Sequence, residues 1–232
     1  MKRLLLVLFL MTAFRSFAQL ATEGQTNLNM LGTGNYTART FDDRYRGVKG
    51  TVMIVPEFVV GRIYMTDGKM IEYPKMNFDA LQNDLIVMRG SNEYVIQKNK
   101  VKQFSLWTGI DSLHFNRVST EHSTYYFYQQ LVSGDFQLLK KDTKILKEAN
   151  QPNPAAVAGR KQDEFVDKAT YYIRAHDKLP VEVQSRKSLM KVFPVKYDRE
   201  LDTYIQEHNL DIKNEQHLIM LLTYLNEIAS KH

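Results

Sequence analysis

Between residues 51 and 141 the chain is a succession of short apolar runs, each broken after a few residues by a turn of two or three small or polar residues. This spacing constrains the fold more than any other feature. Parallel strands need crossovers of a dozen residues or more, so strands joined this tightly pair antiparallel. Asp67-Gly68 separates residues 62–66 from 69–73 and supplies the positive backbone dihedrals of a tight hairpin turn. Gly90-Ser91-Asn92 separates 84–89 from 93–97, Thr108-Gly109 separates 100–107 from 111–117, and Ser133-Gly134-Asp135 separates 123–132 from 136–141. Residues 51–60 read as a strand interrupted at Pro56, which predicts an edge or a bulge there.

Residues 150–160, with two prolines, small residues and a glycine, read as a surface loop or linker. A further hairpin is expected from 168–174 and 179–184, turning at Ala175-His176-Asp177. After residue 184 the apolar period changes. Ser185 can cap a short helix with Leu189, Val192 and Phe193 on one face, ended by Pro194. Tyr197, Leu201, Tyr204 and Ile205 then form one helical stripe, with Asn209 suited to its C-terminal cap. Asn214 can cap a last helix whose face carries Leu218, Leu221, Leu222, Leu225 and Ile228, widened by Ile219 and Tyr224.

The first residues have a different logic. Lys2 and Arg3 precede an apolar run over residues 4–14, too short to span a bilayer, and Ser16-Phe17-Ala18 places small residues where a signal peptidase reads. Residues 1–18 are expected to be an export signal, cleaved between Ala18 and Gln19. The mature chain would then have 214 of the 232 residues, enough for one domain with a sizeable core. Residues 19–47, polar and rich in Gly, Asn and Thr, read as a flexible lead segment. Removing Lys2, Arg3 and Arg15 with the signal leaves 28 basic residues against 26 acidic, so the net charge falls from +5 to +2. The charges are mixed along the chain, which argues against nucleic acid as a partner. No cysteine is present, so there is no lipidation site behind the signal, no disulfide framework and no thiolate chemistry. No second apolar run approaches membrane-spanning length, and a soluble or peripherally membrane-attached mature protein is expected.

Residue types with chemical capacity are scattered. The six histidines, at 114, 122, 176, 208, 217 and 232, show no metal-ligand spacing. His114, in an apolar strand, reads as a hydrogen-bonded structural histidine, and His176, in a turn, as solvated. Glu121-His122-Ser123 places acid, base and hydroxyl side by side, but neighbours in an extended chain point to opposite faces and cannot relay a proton. Asp42-Asp43 lies beside Arg44 and Arg46, which favours ion pairing over calcium. Gly32-Thr33-Gly34 lacks the third glycine and the preceding strand of a dinucleotide site. No catalytic, cofactor-binding or metal residues are assigned.

Two features remain as candidate sites. Asp111-Ser112-Leu113 resembles a three-residue acceptor motif for O-linked glycosylation, with Ser112 as the acceptor. Tyr125, Tyr126, Phe127 and Tyr128 form an aromatic run in a strand. Alternation puts Tyr125 and Phe127 on one face and Tyr126 and Tyr128 on the other. One face should be core. The other is either a ledge that binds sugar rings, peptides or lipid tails, or a set of cross-strand pairs that stabilises the sheet.

The stretch Phe41-Asp42-Asp43-Arg44-Tyr45-Arg46-Gly47-Val48-Lys49-Gly50, the Asp67-Gly68 hairpin and the segment from Phe193 to Asn226 together resemble a family of uncharacterised exported proteins of Gram-negative bacteria. The resemblance implies an envelope location and a strand-rich body with a helical tail. The family has no assigned activity, so no site residue is carried over.

The expected architecture is mainly β (α+β). An antiparallel meander over residues 48–184 forms a sandwich or partial barrel, and two or three helices follow over 185–232. The expected function is non-enzymatic: an exported envelope protein, in the periplasm or at the outer membrane, that binds another envelope component or supports an assembly. The alternatives are a carrier or sensor of a small apolar ligand inside a β-barrel and, behind it, a hydrolase.

Overall fold

The computed structural model describes residues 34–40, 43–119, 124–149, 162–176 and 178–231. The strand-rich body is one open antiparallel sheet of eleven strands in the order β1-β5-β4-β3-β2-β6-β7-β8-β9-β10-β11. They are β1 Tyr36–Ala38, β2 Val59–Met65, β3 Met70–Asp79, β4 Asp84–Arg89, β5 Asn92–Ile96, β6 Val101–Trp107, β7 Ser112–Ser119, β8 Tyr125–Val132, β9 Phe136–Lys147, β10 Glu164–Ala175 and β11 Val181–Glu182. Helices α1 Arg186–Met190, α2 Asp198–Glu207 and α3 Glu215–Ala229 follow.

The hairpins fall where the turn residues put them. At β2–β3 the Met65 N–H donates to the Lys69 carbonyl at 2.8 Å, and Gly68 takes a φ of +88°. Three expectations are corrected in extent. Tyr36–Ala38, inside the segment read as a flexible lead, is a strand on the edge of β5. Three residues are too few to show a period, and Tyr36 is held by an edge-to-face contact with Tyr94 at 5.5 Å. β9 and β10 run well past 136–141 and 168–174, paired without a break from Glu164↔Lys147 to Ala175↔Phe136. Their outer halves mix charged residues with the adjacent apolar pairs Ile145-Leu146 and Phe165-Val166, which hides a strand period. β11 is only two residues long, because the chain turns into the Ser185 cap.

The strand expected over 51–60 is broken, as Pro56 requires. Met53 bridges Asp79, the chain then loops out, and β2 begins at Val59. Asn77, fully buried, fills the gap: its Nδ2 donates to the carbonyls of Val55 and Glu57 at 2.9 and 3.0 Å, and its Oδ1 accepts from the Phe78 N–H at 2.8 Å. Upstream, residues 49–54 form a strap. The Phe165 N–H of β10 donates to the Lys49 carbonyl at 2.9 Å, while the Ala80 N–H donates to the Val52 carbonyl at 2.9 Å. The strap thus ties β10 to the end of β3. Asn83, in the turn after β3, also reaches β8, donating to the Tyr125 carbonyl and accepting from the Phe127 N–H. These contacts curl the sheet toward a partial barrel.

The curl encloses a core built on Ile63, Ile71, Met76, Phe78, Leu85, Phe104, Phe115 and Phe127. Phe104 stacks on Phe115 at 4.7 Å and meets Phe127 edge-on at 5.0 Å. A second core lies between the helices and the sheet, where Phe136, Leu138 and Ile173 meet Leu189, Leu201, Leu218, Leu222 and Leu225. Ser185 and Asn214 cap α1 and α3 as expected, and Asn209 has a φ of +48° after α2. The helical segment therefore belongs to the same body as the sheet.

Candidate functional site

The helices cover the face of β9 and β10 that carries Phe136, Leu138, Tyr171 and Ile173. By strand alternation Leu139 and Tyr172 point the other way. On that opposite face a third apolar cluster forms from Val118, Tyr128 and Leu139, with Tyr126 and Tyr172 packed against it. Register explains it: Val118 lies opposite Tyr126, Leu139 opposite both Gln130 and Tyr172, and Tyr172 opposite Glu182.

The aromatic run thus divides as alternation requires. Phe127 enters the central core, and Tyr125, on the same side, lies under the Arg117 guanidinium at 4.4 Å. Tyr128 is 4% exposed and meets Tyr172 edge-on at 5.2 Å. Tyr126 is half-buried, with the Lys141 ammonium 3.7 Å from its ring centre. Burial, with Tyr172 beside it, pushes the Tyr128 hydroxyl up to about 12. Tyr172 is raised by burial and by Glu182. Burial lowers Lys141, against the pull of Glu182. The face continues through amides: Asn116 donates to Gln130, and Arg174 donates to Gln137 at 3.0 Å. This surface presents rings, amides and one partly desolvated amine.

The sequence does not show Tyr172 in this cluster or Lys141 and Glu182 beside it, because only register brings residues 126, 141, 172 and 182, on β8, β9, β10 and β11, together. Ser112 opens β7 opposite Trp107, and its N–H donates to the Asp111 carboxylate at 2.7 Å. Ala18 and Gln19 lie outside the described residues, as do Glu121-His122-Ser123, Gly32-Thr33 and Asp42.

His114 is corrected: it is exposed on the same open face, since the strand alternates and its neighbours Leu113 and Phe115 take the core side. His176 is exposed, 3.9 Å from the Asp135 carboxylate. His208 packs on Tyr204, and His217 accepts the Asp211 N–H at 2.9 Å. Among the described residues no three of His, Cys, Asp or Glu are grouped to hold a metal ion.

A cleft of about 1120 Å³ lies by the strap, lined by Arg39, Tyr45, Asp79, Glu93 and Phe165 among others. Arg39 spans it, pairing with Asp79 and with Glu93. Burial raises the Asp79 carboxyl, while the Gln82 N–H, Arg39 and the Leu81 N–H counter it. These contacts fasten β1 to the sheet. The interior of the curl, where an apolar ligand would have to sit, is occupied by the rings of Phe78, Phe104, Phe115 and Phe127.

What the geometry defines is a class, an open curled antiparallel sheet carrying a helical layer on one face and an aromatic patch on the other. Comparison of the chain with protein-family models, with curated proteins and with solved structures finds no match. Among the described residues no helix is long and apolar enough to cross a membrane.

Proposed function

We propose that this chain is an exported, non-enzymatic protein of the bacterial cell envelope that binds another envelope component through the open face of β7–β10. The observation that carries the reading is the Val118–Tyr126–Tyr128–Leu139–Tyr172 cluster on the face away from the helices. An antiparallel sheet with one covered face normally alternates apolar inside and polar outside. Here the second face carries apolar side chains too, with half-buried tyrosines at its surface. Tyrosine brings large contact area at low entropic cost and is enriched at interfaces. Export is read from the Lys2-Arg3 start, the apolar run and Ala18-Gln19; the envelope is read from the resemblance of residues 41–50 and 193–226.

The test is a crosslinked pull-down of the tagged protein from its own cell envelope, read by mass spectrometry, beside a Tyr126→Ser/Tyr172→Ser variant. The expected result is a partner at near-equal abundance that the folded variant loses. Recovery of both proteins alone, or equal capture of the partner by both, overturns the reading.

A further inference from the structure

At the far end of the same face the β6–β7 hairpin projects an apolar tip. Ile110 is 94% exposed, Trp107 50% and, on the neighbouring β2, Val60 45%. The tip carries two hydroxyls. That of Thr108 is spent on the turn, donating to the Asp111 carbonyl at 3.0 Å and accepting the Asp111 N–H at 3.2 Å. That of Ser112 has no hydrogen-bond partner among the described residues; only the backbone N–H of Ser112 is engaged, by the Asp111 carboxylate. Ser112 lies directly across from Trp107. Residues so paired have side-chain roots about 5 Å apart on one face. Around them Gly109 has open space beside its backbone, and residues 107–111 are all exposed.

We infer that Ser112 is the attachment point of an O-linked glycan, whose first sugar lies over the Trp107 indole. The inference rests on the export reading, since an exported chain is what an envelope transferase meets. It combines the acid–hydroxyl–aliphatic order of Asp111-Ser112-Leu113 with a hydroxyl that has no hydrogen-bond partner among the described residues, on a half-buried serine beside the exposed tip, and with an adjoining aromatic ring. The sugar donor is an oligosaccharide carried on a lipid diphosphate. The Ser112 oxygen attacks the anomeric carbon, the new C–O bond forms, and the bond from that carbon to the phosphate oxygen breaks. The lipid diphosphate leaves with the electron pair, and the hydroxyl proton passes to a base of the transferase. The apolar face of the sugar ring then covers indole surface that water otherwise meets.

The test uses the full-length gene expressed in its own cells, with intact mass and peptide mapping of the purified protein. The expected mass exceeds that of the polypeptide from Gln19 to His232 by whole sugar residues, carried on the Ser112 peptide. Ser112→Ala loses the increment, Ser112→Thr keeps it, and Thr108→Val keeps it. Trp107 is the single tryptophan, so its fluorescence reports the tip: a neutral quencher should reach it more readily in Ser112→Ala, where the half of the ring that the protein leaves exposed is bare. A wild-type mass equal to the bare polypeptide, or an increment that survives Ser112→Ala, overturns the inference. A bare chain beginning at Gln19 removes the glycan and leaves export standing, whereas a chain still beginning at Met1 removes both.

Discussion

Asn226, near the end of α3, and Phe136, the first residue of β9, pair as if they were neighbours in a ladder. The Asn226 Oδ1 accepts the Phe136 N–H at 3.0 Å and its Nδ2 donates to the Phe136 carbonyl at 2.9 Å. Gly134 makes room for this. A Cβ there would lie 2.6 Å from the Asn226 Oδ1, and its φ of +132° is one that other residues rarely adopt. One amide thus fixes the last helix to the β8–β9 turn. Asn226→Leu leaves both Phe136 backbone groups without a partner and should cost about 3 kcal/mol. Gly134→Ala should displace the same amide, so the double variant should cost clearly less than the sum of the two. Urea unfolding of the three variants measures this, and additivity would show that the two sites act separately.

The same device explains where sequence reasoning ran out. Turn residues and alternation are local, and they located the hairpins, the caps of α1 and α3 and the split of the Tyr125–Tyr128 run between two faces. Asn77 is invisible to such reading. In a strand sequence it is an ordinary polar residue, and only the folded curl shows it replacing the ladder that Pro56 interrupts. The open-face cluster fails to show for a related reason. Leu139, Lys141, Tyr172 and Glu182 are far from Tyr126 in sequence, and register, set by the curl and the bulge beside Gln130, brings them together.

A polar seam lies between the two cores. Lys140 pairs with Asp142 at 3.3 Å and with Glu215 of α3 at 3.1 Å, and the Tyr171 hydroxyl donates to Glu215 at 2.9 Å. Burial raises the Asp142 carboxyl, with Lys140 opposing the rise. Burial also works against the Lys140 charge, but Asp142 and Glu215 outweigh it and its pKa is raised. Lys140→Met strands two carboxylates and should cost about 2 kcal/mol at neutral pH, less than the loss at a fully buried pair. A carboxyl with a raised folded pKa is stabilising when protonated and loses that stability as pH rises through the folded pKa. The deficit of the variant should therefore shrink as pH falls from about 7 toward about 4. Chemical denaturation at both pH values checks this; a deficit independent of pH would place the cost elsewhere.

The tyrosines set an alkaline limit. Burial pushes Tyr73, Tyr128 and Tyr171 up to about 12, the last also through its bond to Glu215, and raises Tyr172. Each folded value lies above the unfolded value of about 10. The protonated rings therefore contribute stability that is fully present below about pH 10 and lost as pH climbs from there toward 12. Tyrosinate absorbance and circular dichroism followed together should show these rings ionising only as the sheet is lost. Ionisation of every tyrosine near pH 10 with the sheet intact would contradict the burial assigned to them.

Gly61 tests how tightly β2 sits between its neighbours. A Cβ at this position would meet the Ser105 carbonyl oxygen of β6 closer than real Cβ atoms approach, and the Met76 Sδ of β3 at 2.8 Å. The thioether can swing away, but a backbone carbonyl in a paired strand cannot move without opening the ladder. Gly61→Ala should therefore destabilise by about 2–3 kcal/mol despite adding one methyl group. Adding Met76→Ala should not restore the loss, because it removes the flexible obstacle and leaves the rigid one. Thermal unfolding of the single and double variants decides between the two obstacles. Full rescue by Met76→Ala would mean that side-chain crowding, rather than close approach of β2 and β6, requires glycine here.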